Sequence, residues 1–265
     1  MVLRYWKKGV GRSKMEKFIS IPWNDDFLYG VFHEEDYISD KMVVFIHGIP
    51  GDRVDARRLP VRIARNLLKY HISSIRVDLY ASGVSKGEFG SVTLADQKEQ
   101  IKYIINYVRN NLHYRGKIIL VAFSEAAKIA NVIARECDDI SGICYCNGIL
   151  VKEEIADSLR VKRLYMRDGM LVANIGFGVW LNSNIISEID EWSLHNTNEL
   201  ACLDSLFIYG EDDDLTTKSK QFINGIIDNY YRMEVIKGAD HLFTNSIFDK
   251  EIISTISSWI IETTF

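Results

Sequence analysis

A mostly parallel α/β sheet, covered by helices on both faces, is the fold class predicted for this chain, and three observations predict it. Short apolar, β-rich runs alternate with longer segments of helical periodicity. Several of the runs are apolar without polar alternation, as strands buried on both faces are. Most of them end in short strings of glycine, aspartate, asparagine or serine, the composition of loops at strand ends.

Taken in order, Glu16 to Ile21 and Phe27 to His33 read as two strands joined by Pro22-Trp23-Asn24-Asp25-Asp26, a hairpin-like start. Met42 to Ile46 is a buried strand ending in His47-Gly48-Ile49-Pro50-Gly51. A helix over Ala56 to Tyr70 follows, then a strand from Ile72 to Val77 that ends at Asp78 and a glycine- and serine-rich loop as far as Gly87. A helix from Leu94 to Asn110 leads into the strand Lys117 to Phe123. The next helix is Glu125 to Glu136, alanine-rich and amphipathic, and Ile140 to Cys146 is the strand after it. The alternation resumes with a strand at Leu203 to Tyr209, a helix at Thr217 to Asp228, a strand at Arg232 to Ile236 and a last helix at Ile247 to Glu262.

Between Ile149 and Ala201 the rhythm breaks. The stretch holds the apolar, glycine-punctuated Gly169 to Leu181, and an unstructured loop of that length is uncommon in a compact domain. It is expected to form a small cap. The expected organisation is therefore an N-terminal tail over 1–15, an α/β core over 16–148 and 202–265, and a cap insertion over 149–201.

Composition narrows the function classes. The chain has 265 residues, 47% hydrophobic and 26% charged, with a formal net charge of −4. No basic patch points to nucleic acid. No span approaches the roughly 20 apolar residues of a membrane helix, so no stable membrane insertion is expected. Met1 to Val10 lacks the apolar stretch of a secretory signal, and Cys137, Cys144, Cys146 and Cys202 lack paired metal-ligand spacing; a cytoplasmic protein with free thiols is expected. The six histidines show no ligand spacing such as H-E-x-x-H, and neither metal nor cofactor is expected.

The chemistry centres on Ser124, where a strand turns straight into a helix, the context of a nucleophile elbow usually written G-x-S-x-G. Here it is Ala122-Phe123-Ser124-Glu125-Ala126, with alanine, the smallest side chain after glycine, at both glycine positions. Taken alone, Ser124 suits a helix N-cap equally well. His241 alone is an ordinary loop histidine and the acidic run Glu211 to Asp214 an ordinary solvated turn. An activated serine needs a base, an acid to orient it and oxyanion donors. His241, after the last strand, Asp213, beyond the strand before it, and the backbone N–H groups of Ile49 and Glu125 each stand at a strand end where those roles are filled.

Together His47-Gly48-Ile49-Pro50-Gly51, Arg76-Val77-Asp78-Leu79 with Gly83 to Gly87, Gly210-Glu211-Asp212-Asp213 and Gly238-Ala239-Asp240-His241 resemble the serial landmarks of the α/β-hydrolase superfamily. The nearest pattern is that of small bacterial cinnamoyl and feruloyl esterases. That resemblance implies the α/β-hydrolase fold, Ser124 as nucleophile, Asp213 as acid, His241 as base and Ile49 with Glu125 as oxyanion donors. Asp212 and Asp214 are then turn residues, because the family's acid stands three residues after the strand-ending glycine, here Gly210. The elbow departs from those esterases and is similar to that of the bacterial luminescence acyl-transferase and thioesterase. The cap's apolar residues, lying over the carboxyl ends of the sheet, are expected to line the pocket, Phe177 and Trp180 among them, so a small-molecule ester of a medium-chain or aromatic acyl group is the expected substrate; the acyltransferase likeness adds a carrier-bound acyl chain.

Overall fold

The structure, a computed structural model, describes residues 15–34, 40–153, 164–167, 169–176, 179–227 and 230–263. Its strands are β1 (Met15–Trp23), β2 (Asp26–Glu34), β3 (Lys41–Ile46), β4 (Ser73–Val77), β5 (Lys117–Phe123), β6 (Ile140–Cys146), β7 (Leu164–Arg167), β8 (Met170–Gly176), β9 (Val179–Asn182), β10 (Asp204–Gly210) and β11 (Tyr231–Ile236). Its α-helices are α1 (Leu59–Leu67), α2 (Leu94–Asn110), α3 (Ala126–Glu136), α4 (Ser183–Glu191), α5 (Thr217–Asn224) and α6 (Asp249–Glu262). β1 begins at Met15, one residue inside the stretch expected to be tail.

Eight strands form one sheet in the order β1-β2-β4-β3-β5-β6-β10-β11. The β1–β2 and β2–β4 pairs are antiparallel, and all pairs from β4 to β11 are parallel. The central strand β5 is buried on both faces: Ile118, Ile119, Leu120 and Val121 are wholly inaccessible, each contributing about 1.5–3 kcal/mol of burial. One layer packs α2 and α3 against Ile118, Leu120 and Ala122; the other packs α1 and α6 against Ile119, Val121 and Phe123.

Two expected helices differ from the reading. The segment Ala56 to Tyr70 is helical only over α1, with a 3₁₀ turn on either side. Arg57 and Arg58 take left-handed φ values of 51° and 61°, and Pro60, which lacks an N–H, starts the helix cleanly in its first turn. α5 stops at Asn224, where Gly225 closes it with a hydrogen bond to Gln221.

Between β6 and β10 the chain builds a second, three-stranded antiparallel sheet in the order β7-β8-β9, followed by α4. Val172, Ala173, Leu181, Ile185 and Ile189 of this segment are buried. Leu164, Met166 and Leu171 remain exposed. The segment is held at helix starts. Glu188 of α4 accepts from the Leu94 N–H of α2 at 2.6 Å, and Glu153, just after β6, accepts from the Lys218 and Ser219 N–H groups of α5 at 3.0 and 2.7 Å. A carboxylate there meets both the free N–H groups and the positive end of the helix dipole.

Candidate active site

β5 enters α3 through a turn centred on Ser124, whose φ of 52° is in the left-handed region that a side chain adopts only under strain. Three hydrogen bonds hold it there. The Ser124 N–H donates to Cys146 O at 3.0 Å, and Ser124 O accepts from Ala127 N and Ile149 N at 3.1 Å each. Ala122 and Ala126, on either side of the turn, are fully buried. Glycines on neighbouring loops let those loops come close to the turn. A Cβ at Gly48 would lie 3.1 Å from Ser124 Cβ, and one at Gly148 would lie 2.9 Å from Ala127 Cβ. The loop after β3 therefore passes directly against the serine.

The Ser124 hydroxyl lies 2.9 Å from His241 Nε2, and His241 Nδ1 lies 2.9 Å from Asp213 Oδ2. A carboxylate only accepts, so Nδ1 carries the proton and Nε2 is left to accept from the serine hydroxyl. Asp213 is buried, while Asp212 and Asp214 are exposed. Its Oδ1 accepts from Leu215 N at 2.9 Å, and its Oδ2 also accepts from the buried Thr216 hydroxyl at 2.7 Å. Buried and fully hydrogen-bonded, the carboxylate has one orientation.

The Ile49 and Glu125 N–H groups donate to no protein acceptor among the described residues. They flank the serine, Ile49 through the contact of Gly48 with Ser124 and Glu125 as its neighbour in sequence. His47 fixes the first of these loops: its Nδ1 donates to Gly48 O at 3.0 Å and its Nε2 accepts from Leu79 N at 3.2 Å, which ties the end of β3 to the end of β4. The Glu125 carboxylate points away along α3, where Oε2 accepts from Lys128 Nζ at 2.6 Å. Behind this loop Asp55 has its carboxyl pKa pushed up by burial, and its Oδ2 is buried with no hydrogen-bond partner among the described residues.

Three supporting residues escaped the sequence reading. Asn147, at a left-handed φ of 44°, donates to His241 O at 2.7 Å and accepts from Gly210 N at 2.7 Å, so one amide joins the histidine loop to the strand leading to Asp213. Lys220 of α5 donates to Gly210 O and Asp213 O at 3.0 and 2.9 Å. Arg57 donates to Phe243 O at 3.0 Å and pairs with Asp249. The only signal for any of them was Asn147-Gly148 at a strand end, a pair that favours positive φ.

Of the two residues expected to line an acyl pocket, Phe177 lies outside the described residues. Trp180 is half-buried, meeting Tyr165 edge-to-face at 5.3 Å, with Arg167 over its ring at 5.7 Å. A cleft of about 300 Å³ lined by Leu206, Arg232, Glu234 and Trp259 lies between β10, β11 and α6 and includes none of the residues around Ser124. Among the described residues no cluster of three or more His, Cys, Asp or Glu is placed to hold a metal, and no helix is long and apolar enough to cross a membrane.

No protein-family model and no curated protein sequence matches this chain. Solved structures do. Est1E from Butyrivibrio proteoclasticus with ferulic acid bound superposes with a TM-score of 0.75 at 17% identity, over 92% of this chain and 98% of that one. The Pyrococcus furiosus esterase Pf2001 gives 0.68 at 18%, over 95% and 94%. Mouse alpha/beta hydrolase domain-containing protein 10 gives 0.69 at 13%, over 94% and 100%. At such identities the likeness is one of architecture. With its strand order, its helices on both faces and these superpositions, the chain has the α/β-hydrolase fold.

Proposed function

We propose that this chain is a serine hydrolase that cleaves a carboxylic ester through an acyl-enzyme. The observation that carries the reading is the continuous relay from the Ser124 hydroxyl through His241 to the buried Asp213 carboxylate, at 2.9 Å for each step, on a strained strand-to-helix turn. Ser124 Oγ attacks the ester carbonyl carbon as His241 Nε2 takes its proton. Asp213 stabilises the imidazolium and holds the ring in place. The Ile49 and Glu125 N–H groups meet the negative charge that develops on the carbonyl oxygen. The C–O bond to the leaving group then breaks, and the imidazolium returns its proton to the departing alkoxide. Water, activated by the same histidine, attacks the acyl-serine and releases the acid.

The acyl group we infer is medium-chain or aromatic. Its support is the apolar surface of the segment between β6 and β10, and the ferulic acid in the Est1E structure is an aromatic acid of that kind. The alanine-flanked elbow favours acyl thioesters, small or carrier-bound, as the second substrate class, with the same residues in the same roles. A panel of oxygen esters and thioesters of graded chain length separates the two. The reading is tested with Ser124→Ala and a fluorophosphonate probe: the wild type is labelled and turns over. The variant is not labelled and loses roughly three or more orders of magnitude in kcat, with its melting curve intact. A wild type inert to probe and panel alike marks a binding protein on a hydrolase scaffold.

A further inference from the structure

Immediately under the elbow is an ion pair that the scheme above does not use. Lys128 is 1% exposed, in the first turn of α3. Among the described residues its ammonium has one partner, the Glu125 carboxylate, at 2.6 Å. Apart from Asn131, the other buried positions of the helix, Ala126, Ala127, Ile129, Ala130 and Ile133, are apolar. One helical turn beyond Lys128, Asn131 is pinned by Glu199 O and Ala201 N at 2.9 and 2.8 Å. A lysine with its charge taken out of water at such a place is costly. Buried ion pairs are poor stabilisers, commonly matched or bettered by apolar residues of the same volume, so stability gives no reason for one here.

Its position gives a reason. Glu125 carries one of the two N–H groups assigned to the oxyanion, and its side chain is the negative charge nearest in sequence to Ser124. A unit negative charge about 6 Å from a developing oxyanion, screened as charges near a protein surface are, slows the reaction by about a hundredfold. We propose that Lys128 is a positioning residue for the reaction, acting through Glu125: its ammonium neutralises the Glu125 carboxylate and draws it along α3, so that the oxyanion donors work without an opposing charge. The inference rests on the hydrolase reading given above. It makes Lys128 and Glu125 a unit in which the lysine is needed only because the glutamate is there.

The test is a double-mutant cycle on p-nitrophenyl butyrate hydrolysis, with Glu125→Gln, Lys128→Met and both together, all checked for folding by melting curve. Lys128→Met leaves the carboxylate uncompensated and lowers kcat by about 30- to 100-fold, with KM changed by less than about threefold. Removing the glutamate as well recovers kcat to within about fivefold of the wild type, and Lys128→Arg, which keeps the charge, recovers most of it. Should Lys128→Met fail to fold, the charge order still decides: Glu125→Gln, with a net positive pair, is the fastest variant and the double variant falls below it. A folded Lys128→Met with wild-type kcat overturns the inference, as does a double variant as slow as Lys128→Met, or slower than Lys128→Arg by the full factor. A wild type that neither hydrolyses the ester nor reacts with a fluorophosphonate removes the hydrolase reading and this inference with it. A reactive wild type beside an unimpaired Lys128→Met removes the inference alone.

Discussion

The loops around Ser124 and the segment between β6 and β10 are attached to the same sheet by different means. Each loop leaves a buried strand and is then fixed by a polar side chain: buried His47 joins the ends of β3 and β4, buried Asn147 joins the histidine loop to β10, and half-buried Lys220 closes the turn that carries Asp213. The segment has its polar ties toward its two ends and at α4, among them Glu153 and Glu188 at helix starts and Asn131 of α3 holding Glu199 O and Ala201 N, and between them it rests on apolar contacts, among them Ala173, Leu181, Ile185 and Ile189. Groups that must meet within 2.9 Å need the first kind of attachment, because polar networks fix orientation. On the proposed function, a surface that received a range of acyl groups would need only to stay near the serine, and apolar contacts, which fix no single orientation, would suffice for that.

The largest effect that tests this difference is expected at the acid. Asp213→Asn keeps the size of the side chain but offers the imidazole the wrong partner, and kcat should fall by about 10⁴-fold. Asp212→Asn and Asp214→Asn, at exposed positions beside it, should change kcat by less than about threefold. Steady-state kinetics on the three variants checks this. Equal losses at all three would mean that the turn acts by its total charge and not through one oriented carboxylate.

Next in size is the attachment of the segment. Glu153 is buried, and it accepts from two N–H groups and from the Ser219 hydroxyl at 2.8 Å. Glu153→Ala strands those donors and should cost about 2–3 kcal/mol. Glu188 makes fewer bonds in a more open place, and Glu188→Ala should cost about 1 kcal/mol or less. The contribution of Glu188 also depends on pH. Burial raises the Glu188 pKa above its ordinary 4.5, against the lowering effect of the Leu94 and Ala95 N–H groups. A group whose folded pKa is raised gives its full stability below the unfolded pKa and loses it as pH rises through the folded one. The cost of Glu188→Ala should therefore be larger near about pH 4 than at about pH 7, which denaturant titrations at the two pH values would show. A cost that shrinks on acidification contradicts the assignment.

How much of this was legible in the sequence follows the same division. The core was readable because β3, β5 and β6 are buried on both faces, which leaves apolar runs with no competing pattern, and the loops that end them carry residue types that suit few other places. Ser124, Asp213 and His241 could be picked out by standing at successive strand ends. Asn147, Lys128 and Lys220 could not, since asparagine and lysine are surface residues by default, while here Asn147 and Lys128 are buried and Lys220 turns onto backbone carbonyls of the Asp213 turn. The segment between β6 and β10 gave no strand pattern because both of its faces are used. Val172 on one face and Ala173 and Leu181 on the other are all buried, while Leu171 and Leu164 stay exposed, so apolar residues do not alternate with polar ones.

The smallest expected effect is also the one that bears most directly on substrate. If the segment lines the acyl pocket, each further methylene of the acyl chain transfers into apolar surroundings for about 0.8 kcal/mol, so kcat/KM should rise roughly fourfold per carbon until the pocket is full. Trp180 is the described residue best placed to report on this, being half-buried on β9 and on the same face as Val172, which packs against the turn at Gly90. Its contacts with Tyr165 and Arg167 supply a competing role, that of holding the small sheet together. The two roles separate in one experiment. Trp180→Ala should flatten the dependence of kcat/KM on chain length from acetyl to octanoyl esters while leaving turnover of the acetyl ester within a few-fold of wild type, since a wall of the pocket is lost but the relay at Ser124 is not. A variant that melts earlier yet keeps the wild-type slope would assign the tryptophan to the sheet alone, and a flat or acetyl-favouring series in the wild type would show that the segment does not read the acyl group.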